Sequence, residues 1–318
     1  MGQTIALAGK RRQPISIPDS IAAKVTEMPR SLLLSFFSFL VFSICVANAT
    51  TPAGAAQESN FWFRHAAISP DGYSILLSHQ GDIFMVSSKG GRARALTTSD
   101  SWDGYPVWSK DGKQIAFASD RHGNLDVFLM PAEGGKARRL TFDSADDFPA
   151  DFSINNQSVL FSSARNDDAQ TSLFPTSRLA ELYEVSITGG TPRMVSTLAA
   201  SQARYSDDGK TLFYRDEKAY EIEYRKHDTS AFARDLWALD LASGKHRQLT
   251  KFKGGDHDPF PVGKKLYYLS EEKSNHFNVW VLDLETGKRK QVSDFKTHPV
   301  RHLSSSSEGL LCYTWHGN

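Results

Sequence analysis

A paired turn signature that returns along the chain constrains this sequence more than any other feature. Ser69-Pro70-Asp71-Gly72, Ser109-Lys110-Asp111-Gly112, Ser153-Ile154-Asn155-Asn156, Ser206-Asp207-Asp208-Gly209 and Ser306-Ser307-Glu308-Gly309 are copies of one turn. A second element follows each of the first four: Gly90-Gly91 leading to Leu96-Thr97, Gly134-Gly135 to Leu140-Thr141, Gly189-Gly190 to Val195-Ser196, and Ser243-Gly244 to Leu249-Thr250. A fifth copy, Thr286-Gly287 to Val292-Ser293, belongs to a repeat whose first turn has degenerated to Val262-Gly263-Lys264-Lys265. The closing Thr or Ser residues stand at 97, 141, 196, 250 and 293, which separates the copies by 44, 55, 54 and 43 residues. Like units at such a period form an array in which neighbours stack.

Within each copy the apolar residues alternate with period two, as in Gln114-Ile115-Ala116-Phe117-Ala118 and Leu125-Asp126-Val127-Phe128-Leu129. The units are therefore built of strands. In the second copy, strand one ends in Pro106-Val107-Trp108, strand two runs from Ile115 to Ser119, strand three carries Val127-Phe128-Leu129, and strand four ends at Leu140-Thr141. Asp-Gly and Gly-Gly supply the positive φ of tight hairpins, so strands one and two, and three and four, are joined by short turns. A four-stranded antiparallel unit repeating every ~40–45 residues is a propeller blade. The expected fold is all-β: a six-bladed β-propeller of four-stranded antiparallel blades with the last blade incomplete. The blades fall at about 60–99, 100–144, 145–199, 200–253 and 254–296, with a partial blade at 297–318. That partial blade has a first strand at His298 to Leu303 and a second at Leu310 to Thr314. With half a blade missing, Leu310-Leu311-Cys312-Tyr313-Thr314-Trp315 is expected to be an exposed apolar edge, and the chain to be a fragment of a longer product.

Ahead of the propeller, Met28-Pro29-Arg30, an apolar run from Ser31 to Val46, and Ala47-Asn48-Ala49 have the three parts of a secretory signal. The run is shorter than the ~20 residues a membrane-spanning helix requires. Residues 1–49 are accordingly a leader, with the signal proper at 28–49, and 50–59 are a short linker. The expectation is a periplasmic or secreted protein without a stable membrane anchor after cleavage. With 37 Lys+Arg against 36 Asp+Glu, overall charge points to no nucleic-acid partner. Two cysteines, Cys45 and Cys312, cannot build a disulfide framework or a cysteine zinc site.

No G-x-S-x-G elbow, H-E-x-x-H, phosphate loop or C-x-x-C occurs, so catalytic, cofactor and metal residues are all read as none. Asp256-His257-Asp258 groups oxygen and nitrogen donors, but three consecutive strand residues cannot all face one ion. Topology points to a site more clearly. Strand two-to-three and blade-to-blade connections share one face, and the extra length of blades three and four falls there, at Arg165 to Ala180 and Arg215 to Arg234. The same face receives an acidic, aromatic-dotted set in which Asp103, Tyr105, Asp147, Phe148, His257, Asp258 and His298 are the candidate peptide contacts at a channel mouth.

The stretch Trp108-Ser109-Lys110-Asp111-Gly112-Lys113-Gln114-Ile115-Ala116-Phe117-Ala118-Ser119-Asp120-Arg121, followed by Gly134-Gly135 and Arg139-Leu140-Thr141, resembles the TolB-type propeller repeat across about 60–318. The opening Phe63-Arg64-His65-Ala66-Ala67-Ile68-Ser69-Pro70-Asp71-Gly72, the following Gly81-Asp82-Ile83-Phe84 and the late Tyr313-Thr314-Trp315-His316-Gly317 are more specifically similar to the N-terminal propeller of tricorn-type serine peptidases. In that family propellers precede a PDZ module and a catalytic domain. The resemblance implies a noncatalytic scaffold and peptide channel or filter. Its partners would be peptides or unfolded segments and the parent's remaining domains, with oligomerisation through the parent. Alternatives are a free-standing TolB-like interaction module and the propeller of a prolyl-oligopeptidase-like hydrolase.

Overall fold

The structure, a computed structural model, describes residues 16–17, 62–165, 179–218 and 232–315. The leader and linker, apart from Ser16–Ile17, and most of the two long connections at 165–180 and 215–234 lie outside the described residues. Ser16–Ile17 pairs antiparallel with Gly91–Arg92.

Five four-stranded antiparallel sheets follow one another in chain order. Blade 1 is Arg64–Ile68, Ser74–His79, Asp82–Ser87 and Arg94–Ala95; blade 2 is Asp103–Trp108, Gln114–Ser119, Asp126–Pro131 and Arg138–Arg139. Blade 3 is Asp147–Phe152, Ser158–Ser163, Glu181–Ser186 and Arg193–Ser196. Blade 4 is Ala200–Tyr205, Thr211–Asp216, Leu236–Asp240 and His246–Gln248, and blade 5 is Asp256–Val262, Lys265–Ser270, Asn278–Asp283 and Arg289–Gln291. First strands of successive blades lie side by side around the axis. The expected six blades are thus corrected to five. Val300–Ser305 and Leu311–Trp315 form only a two-stranded sheet, whose first strand contacts the first strands of both blade 5 and blade 1 and closes the inner ring.

This hairpin fills its place because it buries both faces. Val300, Leu303 and Leu311 pack with Tyr267, Leu269 and Val279 of blade 5, while Cys312 joins Phe63, Ile68, Ile75 and Leu77 of blade 1. The Leu311 and Cys312 side chains are therefore buried and not exposed as expected, while Leu311–Trp315 pairs with Val300–Ser305 alone among the described residues and so remains the edge strand of its sheet. Hydrogen bonds from two backbone amides sew the closure: Ile68 donates to Ser304 Oγ at 3.1 Å, and Ser307 to the Pro70 carbonyl at 2.9 Å. The other four cores also lie between blades, so each blade depends on its neighbours, as strands buried on both faces, such as Gln114–Ser119 and Ser158–Ser163, require.

Both turn signatures have mechanical meanings. In the first, the Ser69, Ser109 and Ser206 hydroxyls donate to Asp71, Asp111 and Asp208 at 2.5, 2.6 and 2.6 Å, and those bonds hold the three carboxyls below their ordinary pKa. Gly72, Gly112 and Gly209 close these turns in the left-handed region, and Asn156 takes that role in the third copy at φ 58°. In the second signature the closing hydroxyl is a latch. The amides of Ile83, Val127, Leu236 and Val279 each donate at 2.9 Å to the side-chain oxygens of Thr97, Thr141, Thr250 and Ser293. That bond ties the short fourth strand across the third.

Candidate functional site

Every first strand carries a β-bulge facing the axis, and in five of them one residue sits in the left-handed region without being glycine. These are His65 (φ 50°), Tyr105 (50°), Gln202 (51°), Asp258 (50°) and His302 (54°). Blade 3 has Pro149 at the equivalent place, where the ring forbids positive φ. Left-handed backbone costs a non-glycine residue on the order of 1–3 kcal/mol, and five such residues on one ring mark where the fold accepts strain.

The strained residues join across blade boundaries. His302 and His65 rings lie 5.0 Å apart, His65 and Tyr105 3.9 Å, and Tyr105 and Phe148 5.2 Å between centroids. On the opposite arc the Asp258 amide donates to Gln202 Oε1 at 2.9 Å, and Asp258 Oδ2 accepts from the Leu303 amide at 3.1 Å. The outcome is a belt, aromatic on one arc and hydrogen-bonded on the other. Burial, reinforced by His302 and Arg64, holds the His65 pKa well below its ordinary value, so its imidazole is neutral at neutral pH.

Beside the aromatic arc opens a pocket of about 450 Å³ lined by Trp102, Tyr105, Asp120, Gly123, Asn124, Leu125, Asp146 and Phe148. Its walls are braced by hydrogen bonds to backbone groups. Asp120 Oδ1 accepts from the Trp102 amide at 2.7 Å, Asp146 Oδ1 accepts from the Leu125 amide at 2.9 Å, and Asn124 Nδ2 donates to the Asp143 and Ala145 carbonyls at 3.0 and 2.8 Å. Trp102 lies against Gly104 so closely that a Cβ there would stand 2.2 Å from its ring.

Tyr105 and Phe148 thus meet at the pocket, and Asp258 lies in the belt. Asp103 and Asp147 are fully buried in ion pairs: Asp103 with Arg121 at 2.9 Å, Asp147 with Arg165. His257 folds back over Gly255, packs edge-on to Phe277 at 4.8 Å, and shares a hydrogen bond with Arg215 at 2.8 Å. His298 lies edge-on to Trp315, 6.0 Å away. Among the described residues no cluster of three or more His, Cys, Asp or Glu is arranged to hold a metal ion. Sequence reasoning missed His65, Gln202 and His302 in the belt, and Trp102, Asp120 and Asn124 in the pocket. Aligning the copies on their first strands places 65, 105, 202, 258 and 302 in one column, the signal that was present.

Residues 61–318 match the family described as the tricorn protease N-terminal beta propeller domain. The chain belongs to this family. Among solved structures, the tricorn protease aligns with a TM-score of 0.68 at 16% identity, over 80% of this chain and 24% of that one. Tricorn-type and TolB-type propellers share the architecture. A putative TolB from Agrobacterium tumefaciens aligns with a TM-score of 0.61 at 18% identity over 79% and 90%, and TolB from Acinetobacter baumannii with 0.56 at 15% over 80% and 57%. At these identities the structural likeness speaks for fold alone. This tricorn-type propeller thus spans about a quarter of the tricorn protease chain. A search of curated proteins finds no match.

Proposed function

We propose that this chain is the noncatalytic N-terminal propeller of an exported tricorn-like serine peptidase and serves as scaffold and peptide channel or filter for a catalytic domain. The observation that carries this reading is the strained belt at the inner ring, adjoining an aromatic-walled pocket on the face that gathers the blade connections. Extended peptides offer backbone amides and carbonyls with alternating side chains. A ring of imidazole, phenol, amide and carboxylate groups can contact such a segment without reading one sequence. The signal pattern of Met28 to Ala49 supports export, and amino-terminal sequencing of the protein from a Gram-negative periplasm should begin near Thr50.

Calorimetric titration of the chain with unstructured peptides tests the channel reading. Binding that weakens in Tyr105→Asn is the expected result; no binding to any peptide would overturn it. A free-standing TolB-like interaction module is the second reading, favoured by the 90% of the Agrobacterium tumefaciens chain that aligns. Folded-protein partners captured in place of peptides would select it.

A further inference from the structure

The pocket beside the belt has a chemical bias that its place in a channel does not require. Three aromatic rings form its wall, with Trp102 and Tyr105 5.7 Å apart at 61° and Tyr105 and Phe148 5.2 Å apart at 82°. Such edge-to-face contacts turn neighbouring rings across one another, so π-faces, which are electron-rich, are offered from more than one side. The carboxylates lining it are Asp120 and Asp146, both at exposed positions. Each uses Oδ1 to hold a backbone amide, so the carboxylates are fixed in place while a second oxygen remains to serve a ligand. The neighbouring Arg121 is committed elsewhere, paired with buried Asp103 and stacked 5.2 Å over Phe128.

We infer that this pocket receives a cationic group of a bound peptide, a Lys or Arg side chain or a free amino terminus, between the Trp102, Tyr105 and Phe148 rings and the Asp120 and Asp146 carboxylates. The inference rests on the peptide-channel reading and sharpens it from peptides in general to peptides anchored by positive charge. An ammonium or guanidinium over aromatic faces gains cation–π attraction, and a carboxylate pair beside it selects charge over bulk. An anionic or purely apolar side chain would leave the two carboxylates uncompensated.

The test is calorimetry on the full chain with four probes: acetylated, amidated Gly-Gly-Lys-Gly-Gly, the same peptide with arginine or with norleucine in place of lysine, and pentaglycine amide with a free amino terminus. The lysine or arginine peptide, or the free amino terminus, should bind about tenfold tighter than the norleucine peptide, with the advantage shrinking as salt is raised. Asp120→Asn and Asp146→Asn keep an acceptor for the Trp102 and Leu125 amides. Each should lower affinity for the preferred cation about fivefold without weakening norleucine binding, so that the preference for charge narrows. Preference for the free amino terminus alone would assign the pocket to the α-ammonium and support the inference. Equal binding of lysine, arginine and norleucine peptides would overturn it while the channel reading stands, and so would a cation preference that neither Asn variant alters. No binding by any probe would overturn both.

Discussion

The rings of His65 and Tyr105 lie 3.9 Å apart across the junction of blades 1 and 2, and both residues hold left-handed backbone at φ 50°. The two residues occupy the same place in the bulges of neighbouring first strands, and their side chains meet across the junction. The belt is consequently a property of the ring, not of any one blade.

Substitutions at Tyr105 should separate strain from recognition. Asparagine tolerates left-handed backbone but removes a ring that touches His65, Trp102 and Phe148, so Tyr105→Asn should lower Tm modestly through those lost contacts and weaken peptide binding about tenfold. Tyr105→Val puts a β-branched side chain into the same backbone and should cost about 1–3 kcal/mol of stability in denaturant titrations.

Gly104 is a position where the absence of a side chain is required by contact. A Cβ there meets the Trp102 ring at 2.2 Å, so Gly104→Ala should expel the indole from the pocket wall. The expected readout is a red-shifted component of tryptophan emission with lost peptide binding.

The Thr141 latch predicts a measurable cost. Thr141 is fully buried, and its side-chain oxygen accepts the Val127 amide at 2.9 Å. Thr141→Val keeps the shape and orphans that amide, which should destabilise the fold by about 1–3 kcal/mol in urea unfolding.

Asp256 sets a pH dependence. In blades 2 and 3 the residue two beyond the register partner of the first-strand aspartate is an arginine, Arg121 or Arg165. In blade 5 that place holds Glu272, and burial pushes the Asp256 pKa up to about 7 against the opposing pull of Ser270 and Thr250. A folded pKa above the unfolded one means that the folded state keeps a proton the unfolded chain releases. Stability should therefore fall as pH rises from about 4 to about 7, by at most about 1.4 kcal/mol per pH unit from this group. Chemical denaturation across that range should show a shallower decline in Asp256→Asn.

The repeat made the blades legible in the sequence: strands placed at Ile115–Ser119 and Val127–Leu129 fall inside Gln114–Ser119 and Asp126–Pro131. Counting blades from the same repeat erred at the end, because Val300–Ser305 and Leu311–Trp315 form a two-stranded sheet and not a blade, with Leu311 buried toward blade 5 and Cys312 toward blade 1. The site was half legible. Tyr105 and Phe148 are aromatic at the mouth of any blade-to-blade connection. Asp103 and Asp147 looked like mouth carboxylates because their partners, Arg121 and Arg165, lie 18 residues on and meet them only across paired strands. His65, Gln202 and His302 share a column with Tyr105 and Asp258 when the copies are aligned, but residue type did not single them out, because positive φ at a non-glycine residue leaves no compositional trace.

Photocrosslinking tests the central claim, that the belt and its pocket are where a peptide runs. An unstructured peptide carrying benzoylphenylalanine is irradiated with the full chain, and the adducts are mapped by mass spectrometry. The account predicts adducts concentrated at 64–66, 102–105, 120–125, 146–148 and 302, reduced by competing unlabelled peptide. Adducts confined to the outer strands, such as Arg193–Ser196 or Arg289–Gln291, would contradict it.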